Sequence, residues 1–173
     1  MGTSRRLIPL FSLLAAPLVA STLMASSASA QWSAIALGVL AGGTWSDALG
    51  INDRQQIVGV GGTASGGTHA LLWQHGMVTD LGVLPGGGSS IAHAINKHGE
   101  IVGQAVDVSG VVGRAVLWTR GGIADLGTLP GGTQSAAFAI NDRGIIVGTS
   151  NSASGEWRAV SWQNGLMSTD RRN

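Results

Sequence analysis

Along most of this chain, short apolar runs alternate with clusters of Gly, Asn, Asp and Ser, and the runs are too short for helices. Residues 136–140, 145–149, 158–162 and 166–168 show the pattern best, each a brief segment bounded by turn chemistry. Four β-strands are predicted there. Asn141-Asp142-Arg143-Gly144 separates the first two, with an Asn whose side chain can bond the backbone two residues on and a Gly suited to positive φ. Ser154-Gly155 forms the second turn, and Asn164-Gly165, the strongest two-residue hairpin signal in the chain, forms the third.

The same signals occur three times. Residues 125–148, DLGTLPGGTQSAAFAINDRGIIVG, are anticipated by DLGVLPGGGSSIAHAINKHGEIVG at 80–103 and by ALGVLAGGTWSDALGINDRQQIVG at 36–59. Leu37-Gly38 is followed 44 residues later by Leu81-Gly82 and 45 later by Leu126-Gly127. Ile51-Asn52, Ile95-Asn96 and Ile140-Asn141 keep this step, as do Val58-Gly59, Val102-Gly103 and Val147-Gly148, and Trp73, Trp118 and Trp162 follow it closely. Internal duplication follows, with repeats at about 36–79, 80–124 and 125–169. A truncated fourth start falls at 170–173, where Asp170 is followed by Arg171-Arg172-Asn173 instead of Leu-Gly.

Differences between copies carry their own expectations. Gln55 stands where Gly99 and Gly144 stand later, which predicts a strained or altered first hairpin. His75-Gly76 and Arg120-Gly121 take the position of the tight third turn. At Gly42-Gly43, Gly86-Gly87 and Gly131-Gly132 the chain is expected to leave one sheet and enter the next. Residues 32–40 resemble the segment before each later glycine pair and read as one leading strand.

Four antiparallel strands in about 45 residues, with a glycine-rich crossover and one strand-borne Trp, describe the blade of a β-propeller. The fold class is therefore all-β, made of tandem four-stranded antiparallel repeats: three propeller-like blades plus a leading strand, an incomplete or open propeller. Such a blade must bury its faces on its neighbours, with the Trp and the Ile-Asn and Val-Gly strands as filling, so Trp118 in the middle repeat is expected to matter most. Closed propellers typically have about 4 to 8 blades. Three leave a broken array, a pair of chains closing a ring, or an open arc with an unpaired strand edge.

The combination D-L-G-x-L-P-G-G-x-x-S-x-A-x-A-I-N-x-x-G-x-I-V-G, followed by a Ser-Gly loop and a strand ending in Trp, resembles the HAF repeat of exported bacterial proteins. The likeness spans residue 36 to about 170. Its name-giving tripeptide stands here as His69-Ala70-Leu71, Arg114-Ala115-Val116 and Arg158-Ala159-Val160. These keep a long polar residue, Ala and an apolar residue, and argue against His69 as a ligand shared by the repeats. The resemblance implies export and a repetitive β-fold, and it brings no catalytic residues.

The first thirty residues add a compartment to this picture. Arg5 and Arg6, the mostly apolar run from 7 to 25 and Ala28-Ser29-Ala30 form a secretory signal peptide over 1–30, with Gln31 as the mature N-terminus. General secretory export fits better than the twin-arginine route, whose motif is incomplete. The localisation expected is extracellular, cell-surface or periplasmic, with no membrane segment left after cleavage. Removal of Arg5 and Arg6 leaves eight basic against nine acidic residues, a net charge of −1, and no basic patch for nucleic acid. There are 28 glycines and no cysteine, so packed apolar surface must hold the domain.

Candidate chemistry is sparse. His69, His75, His93 and His98 invite a metal reading, and His93 and His98 flank the Asn96 turn. However, His93 exchanges with Leu49 and Phe138, which marks a packing position, and no third ligand lies at zinc spacing. Asp80, Asp125 and Asp170 recur before the Leu-Gly position and are expected to make backbone or cross-strand hydrogen bonds. Asp53 and Asp142 read as solvated turn residues, with too few oxygen ligands nearby for calcium. No catalytic, cofactor or metal site is called for. Trp32, Trp45 and Trp157 break the repeat, and Ser89 and Gln134 replace Trp45 in later copies. Trp45 and Trp157 are thus the candidate contacts for a protein or glycan ligand, with self-association through open edges as a further possibility. The reading is a non-enzymatic binding or surface scaffold, or a remnant of one; the competing class is a secreted carbohydrate-active enzyme on a propeller.

Overall fold

The computed structural model describes residues 32–164 and 166–168; the expected signal peptide and the fourth start at 170–173 lie outside them. The described residues from Ile35 onward belong to one compact unit. It is all-β among the described residues. The first repeat holds β1 (Ser46–Ile51), β2 (Ile57–Gly62), β3 (Thr68–Gln74) and β4 (Met77–Asp80). The second holds β5 (Gly87–Ile95), β6 (Ile101–Asp107), β7 (Gly113–Thr119) and β8 (Gly122–Asp125). The third holds β9 (Ser135–Ile140), β10 (Ile146–Asn151), β11 (Trp157–Gln163) and β12 (Leu166–Ser168). Within each repeat, neighbouring strands pair antiparallel in chain order.

Local chemistry accounts for each reversal. The Oδ1 atoms of Asn52, Asn96 and Asn141 each accept the backbone N–H groups two and four residues on. Gln55 is held at φ 59°, in the left-handed region its glycine counterparts enter without cost, so the first hairpin carries the anticipated strain. Gly42, Gly86 and Gly131 also have positive φ, and Gly43, Gly87 and Gly132 donate to the carbonyls of Leu40, Leu84 and Leu129. With Pro85 or Pro130 before the positive-φ glycine in two copies, these are turns of type II character.

Two expectations need correction. The glycine pair does not always mark a change of sheet: a parallel pairing of Thr68 with Ser89 joins the first two repeats into one eight-stranded sheet. The small Gly87, Gly88 and Ser89 let β5 start early beside β3, whereas Thr133 and Gln134 occupy the corresponding positions and β9 starts only at Ser135. The third repeat is a separate four-stranded sheet, and neither sheet closes on itself. Residues 32–40 form no strand. Their later counterparts β4 and β8 each pair with the strand just before them, β3 and β7. The third turn falls as expected at His75-Gly76 and Arg120-Gly121, with a difference in backbone: His75 and Asn164 adopt positive φ, but in the middle repeat only Gly122, just after the turn, does.

The core lies between repeats. One apolar layer joins Val58 and Ala70 of the first repeat to Ile95, Ile101, Val116 and Trp118 of the second. The next joins Val102 and Ala115 of the second to Ala137, Ile146, Val160 and Trp162 of the third. Each first strand carries a bulge against its second strand, near Ala48, Ala92 and Ala137. There Gly59, Gly103 and Gly148 admit the carbonyl oxygens of Asp47, Ile91 and Ala136, with which a Cβ would collide. This is why Val-Gly recurs.

Trp118→Ala is expected to lower stability in urea denaturation by about 3–5 kcal/mol, and Gly103→Ala by about 1–3 kcal/mol through overpacking at the bulge. Half-exposed Trp157→Ala should change it by about 0.5 kcal/mol or less. Equal losses for Trp118 and Trp157 would contradict the shared-layer core.

Candidate functional site

The joints between repeats are built from polar side chains set into the apolar layers. Ser90, fully buried, accepts the N–H of Ala70 (2.9 Å) and donates to the carbonyl of Gly82 (2.7 Å). Ser135 does the same with Ala115 (2.9 Å) and Gly127 (2.7 Å). A second ladder runs along the Asn turns: Asn52 Nδ2 donates to the Asn96 carbonyl (2.9 Å), and Asn96 Nδ2 to that of Asn141 (3.1 Å). Lys97 adds a third link, its N–H donating to Asp142 Oδ1 (3.1 Å) and its ammonium lying 3.4 Å from Oδ2. The Lys97 N–H, with its side chain, holds the Asp142 carboxyl below its ordinary range. So Asp142, expected to be a solvated turn residue, is exposed but tied to the preceding repeat.

Asp80 and Asp125, at the ends of β4 and β8, are engaged by the adjacent strand and by the turn that follows. Asp80 accepts from the Gly82 N–H (2.7 Å) and meets His69 Nδ1 at 2.8 Å. Asp125 accepts from the Gly127 N–H (2.8 Å) and is bonded by Arg114 at 3.2–3.3 Å. Both make the backbone and cross-strand bonds expected of them, and Asp170 lies outside the described residues. The varying first residue of the name-giving tripeptide is thus the cross-strand partner of the recurring Asp. His93 packs edge-on against Phe138, with ring centroids 5.7 Å apart, and its burial lowers its pKa. His98 sits in the Asn96 turn, where its N–H donates to Asn96 Oδ1. Among the described residues, no three His, Asp or Glu gather as a metal site.

Each joint opens a cleft at its Asn-turn end. One of about 750 Å³ is lined by Arg54, Gln56, Leu81, Glu100 and Trp118, and one of about 490 Å³ by Glu100, Leu126, Asp142, Arg143 and Trp162. Both have charged lips over an apolar floor. The indole N–H of Trp73 donates to the Gly38 carbonyl (3.1 Å), whereas those of Trp118 and Trp162 are buried without a protein partner.

Trp45 and Trp157 lie at opposite ends of the array and are not brought together. Trp45 is 42% exposed and lies over Gly62, where a Cβ would come within 2.8 Å of its indole nitrogen. Trp157 is 50% exposed and faces Asn151 across β10 and β11. By repeat position Trp45 corresponds to Ser89 and Trp157 to Thr68, the two residues paired at the first joint. Trp45 and Trp157 therefore both occupy joint positions, on the outer faces of the first and third repeats. Sequence reasoning missed this correspondence and the joint serines, although Ser46, Ser90 and Ser135 keep the repeat step.

No known protein family, curated protein or solved structure matches this chain.

The half-buried His93 resists protonation more than it does in the unfolded chain. Its contribution to stability is complete above about pH 6.5, the ordinary histidine value, and is lost as the pH falls through that value towards the lowered folded pKa. His93→Leu, the residue of the first copy, should therefore flatten the fall in urea midpoint between neutral pH and about pH 5. An unchanged fall in the variant would contradict this assignment. The depressed carboxyls of Asp107 and Asp142 act in a separate window, below about pH 4.

Proposed function

We infer that this chain is an exported, non-enzymatic repeat protein of the HAF-repeat kind, its repeats arranged as the blades of an open β-propeller. It serves as a binding or surface scaffold for a protein or glycan. The observation that carries this reading is the pair of half-exposed indoles, Trp45 and Trp157, at positions where the repeat otherwise has small or polar residues. A flat indole offers a large apolar contact with little conformational entropy to lose, suited to a sugar face or a partner's apolar surface. The engagement of Asp80 and Asp125 by His69, Arg114 and backbone N–H groups supports structural roles for them.

Depletion of the protein from solution by peptidoglycan, chitin and cellulose tests the reading. Trp45→Ala and Trp157→Ala should each weaken retention about tenfold, equivalent to about 1.4 kcal/mol, with the urea midpoint unchanged. Retention by none of the three would remove the glycan and leave a protein as the ligand. Retention unaltered in the double variant, or hydrolysis of a polysaccharide abolished by Asp125→Asn, would overturn it.

A further inference from the structure

We propose that the partner of the two open ends is a second copy of this chain, joined head to tail through the same contacts that join its own repeats. The inference rests on the scaffold reading and names the partner of its tryptophan-bearing ends. The head is the face of the first repeat that carries Ser46 and Ile51. The tail is the face of the third repeat that carries Val147 and Ala159.

Each end displays one half of an interior joint. Val58 and Val102 are fully buried because the following repeat covers them, but their counterpart Val147 is 46% exposed. Ala70 and Ala115 are likewise covered, and Ala159 is exposed. On the head, Ile51 is 66% exposed where its counterpart Ile95, covered by the first repeat, is 7% exposed. An apolar half-layer is thus open on the tail and its complement is open on the head.

The polar halves match in the same sense. Ser46 donates to the Gly38 carbonyl (3.0 Å) as Ser90 and Ser135 donate to Gly82 and Gly127, leaving its oxygen to accept an N–H as theirs do. The N–H that corresponds is that of Ala159, the counterpart of Ala70 and Ala115. On the turn side, Asn52 and Asn96 donate to the next Asn carbonyl, and Asn141, next in the ladder, is exposed. Its complement is the Asn52 carbonyl of a second copy. Trp157 and Trp45 then stand at the positions of Thr68 and Ser89, on the rim of the new joint. The charge pair also differs. Where the second joint has Lys97 against Asp142, the joint between copies has Asp53 against Asp142, and Asp142 already holds Lys97.

Because head and tail are different surfaces, the contact is heterologous and has a specific signature. Light scattering across a wide range of protein concentration should give masses above the monomer. Ile51→Asp, on the head, and Val147→Asp, on the tail, should each weaken association by about tenfold or more, since a carboxylate would be buried unpaired. Both positions are exposed in the single chain, so the urea midpoints should stay near that of the parent. An equimolar mixture of the two variants keeps one intact head and one intact tail, and should recover association that stops at the dimer. Asp53→Lys, which restores the Lys97 chemistry, should tighten association about two- to fivefold. A monomer at every concentration, association that survives Val147→Asp, or a mixture that does not associate would each overturn the proposal. A monomeric chain whose retention by polysaccharide still depends on Trp45 and Trp157 would overturn it while leaving the scaffold reading intact.

Discussion

Two buried apolar layers, each shared by neighbouring repeats, carry this fold. A four-stranded meander of about 45 residues cannot cover both of its own faces, so Val58 and Val102 are buried only because Ile95 and Ile101, then Ala137 and Ile146, lie over them. Each fully buried side chain of this kind contributes roughly 1.5–3 kcal/mol. No disulfide is possible in a chain without cysteine, which leaves these layers as the main source of stability.

The polar groups within the layers set register. A slip of one residue between repeats would leave the hydroxyl of Ser90 or Ser135 and the N–H of Ala70 or Ala115 buried and unpaired, at about 1–3 kcal/mol for each group. The Asn ladder imposes the same spacing at the turns. The carboxylates of Asp80 and Asp125 are drawn into cross-strand pairs with His69 and Arg114, and the half-exposed indoles Trp45 and Trp157 lie on the outer faces of the first and third repeats.

Much of this was legible in the residues. The strands of the third repeat lie within a residue or two of the runs at 136–140, 145–149, 158–162 and 166–168, because each run is bounded by turn residues whose preferences are local. The strain at Gln55 could be anticipated for the same reason, since positive φ is a property of one residue and its neighbours. Trp45 and Trp157 could be found as departures from the repeat, but not as occupants of the joint positions. That required knowing that Thr68 pairs with Ser89, two residues in different repeats.

By itself the sequence determined the number of repeats, the order of strands and turns within each, and which positions are scaffold and which vary. These depend on interactions over a few residues and on periodicity that can be counted. Only the tertiary structure decided that the first two repeats share a sheet while the third stands apart, that residues 32–40 form no strand, and that Gly59, Gly103 and Gly148 are required by bulges. It alone revealed that the serine hydroxyls and the turn asparagines bond across repeats. Such contacts join residues 20 to 45 positions apart, and their energy depends on which face of one strand meets which face of another.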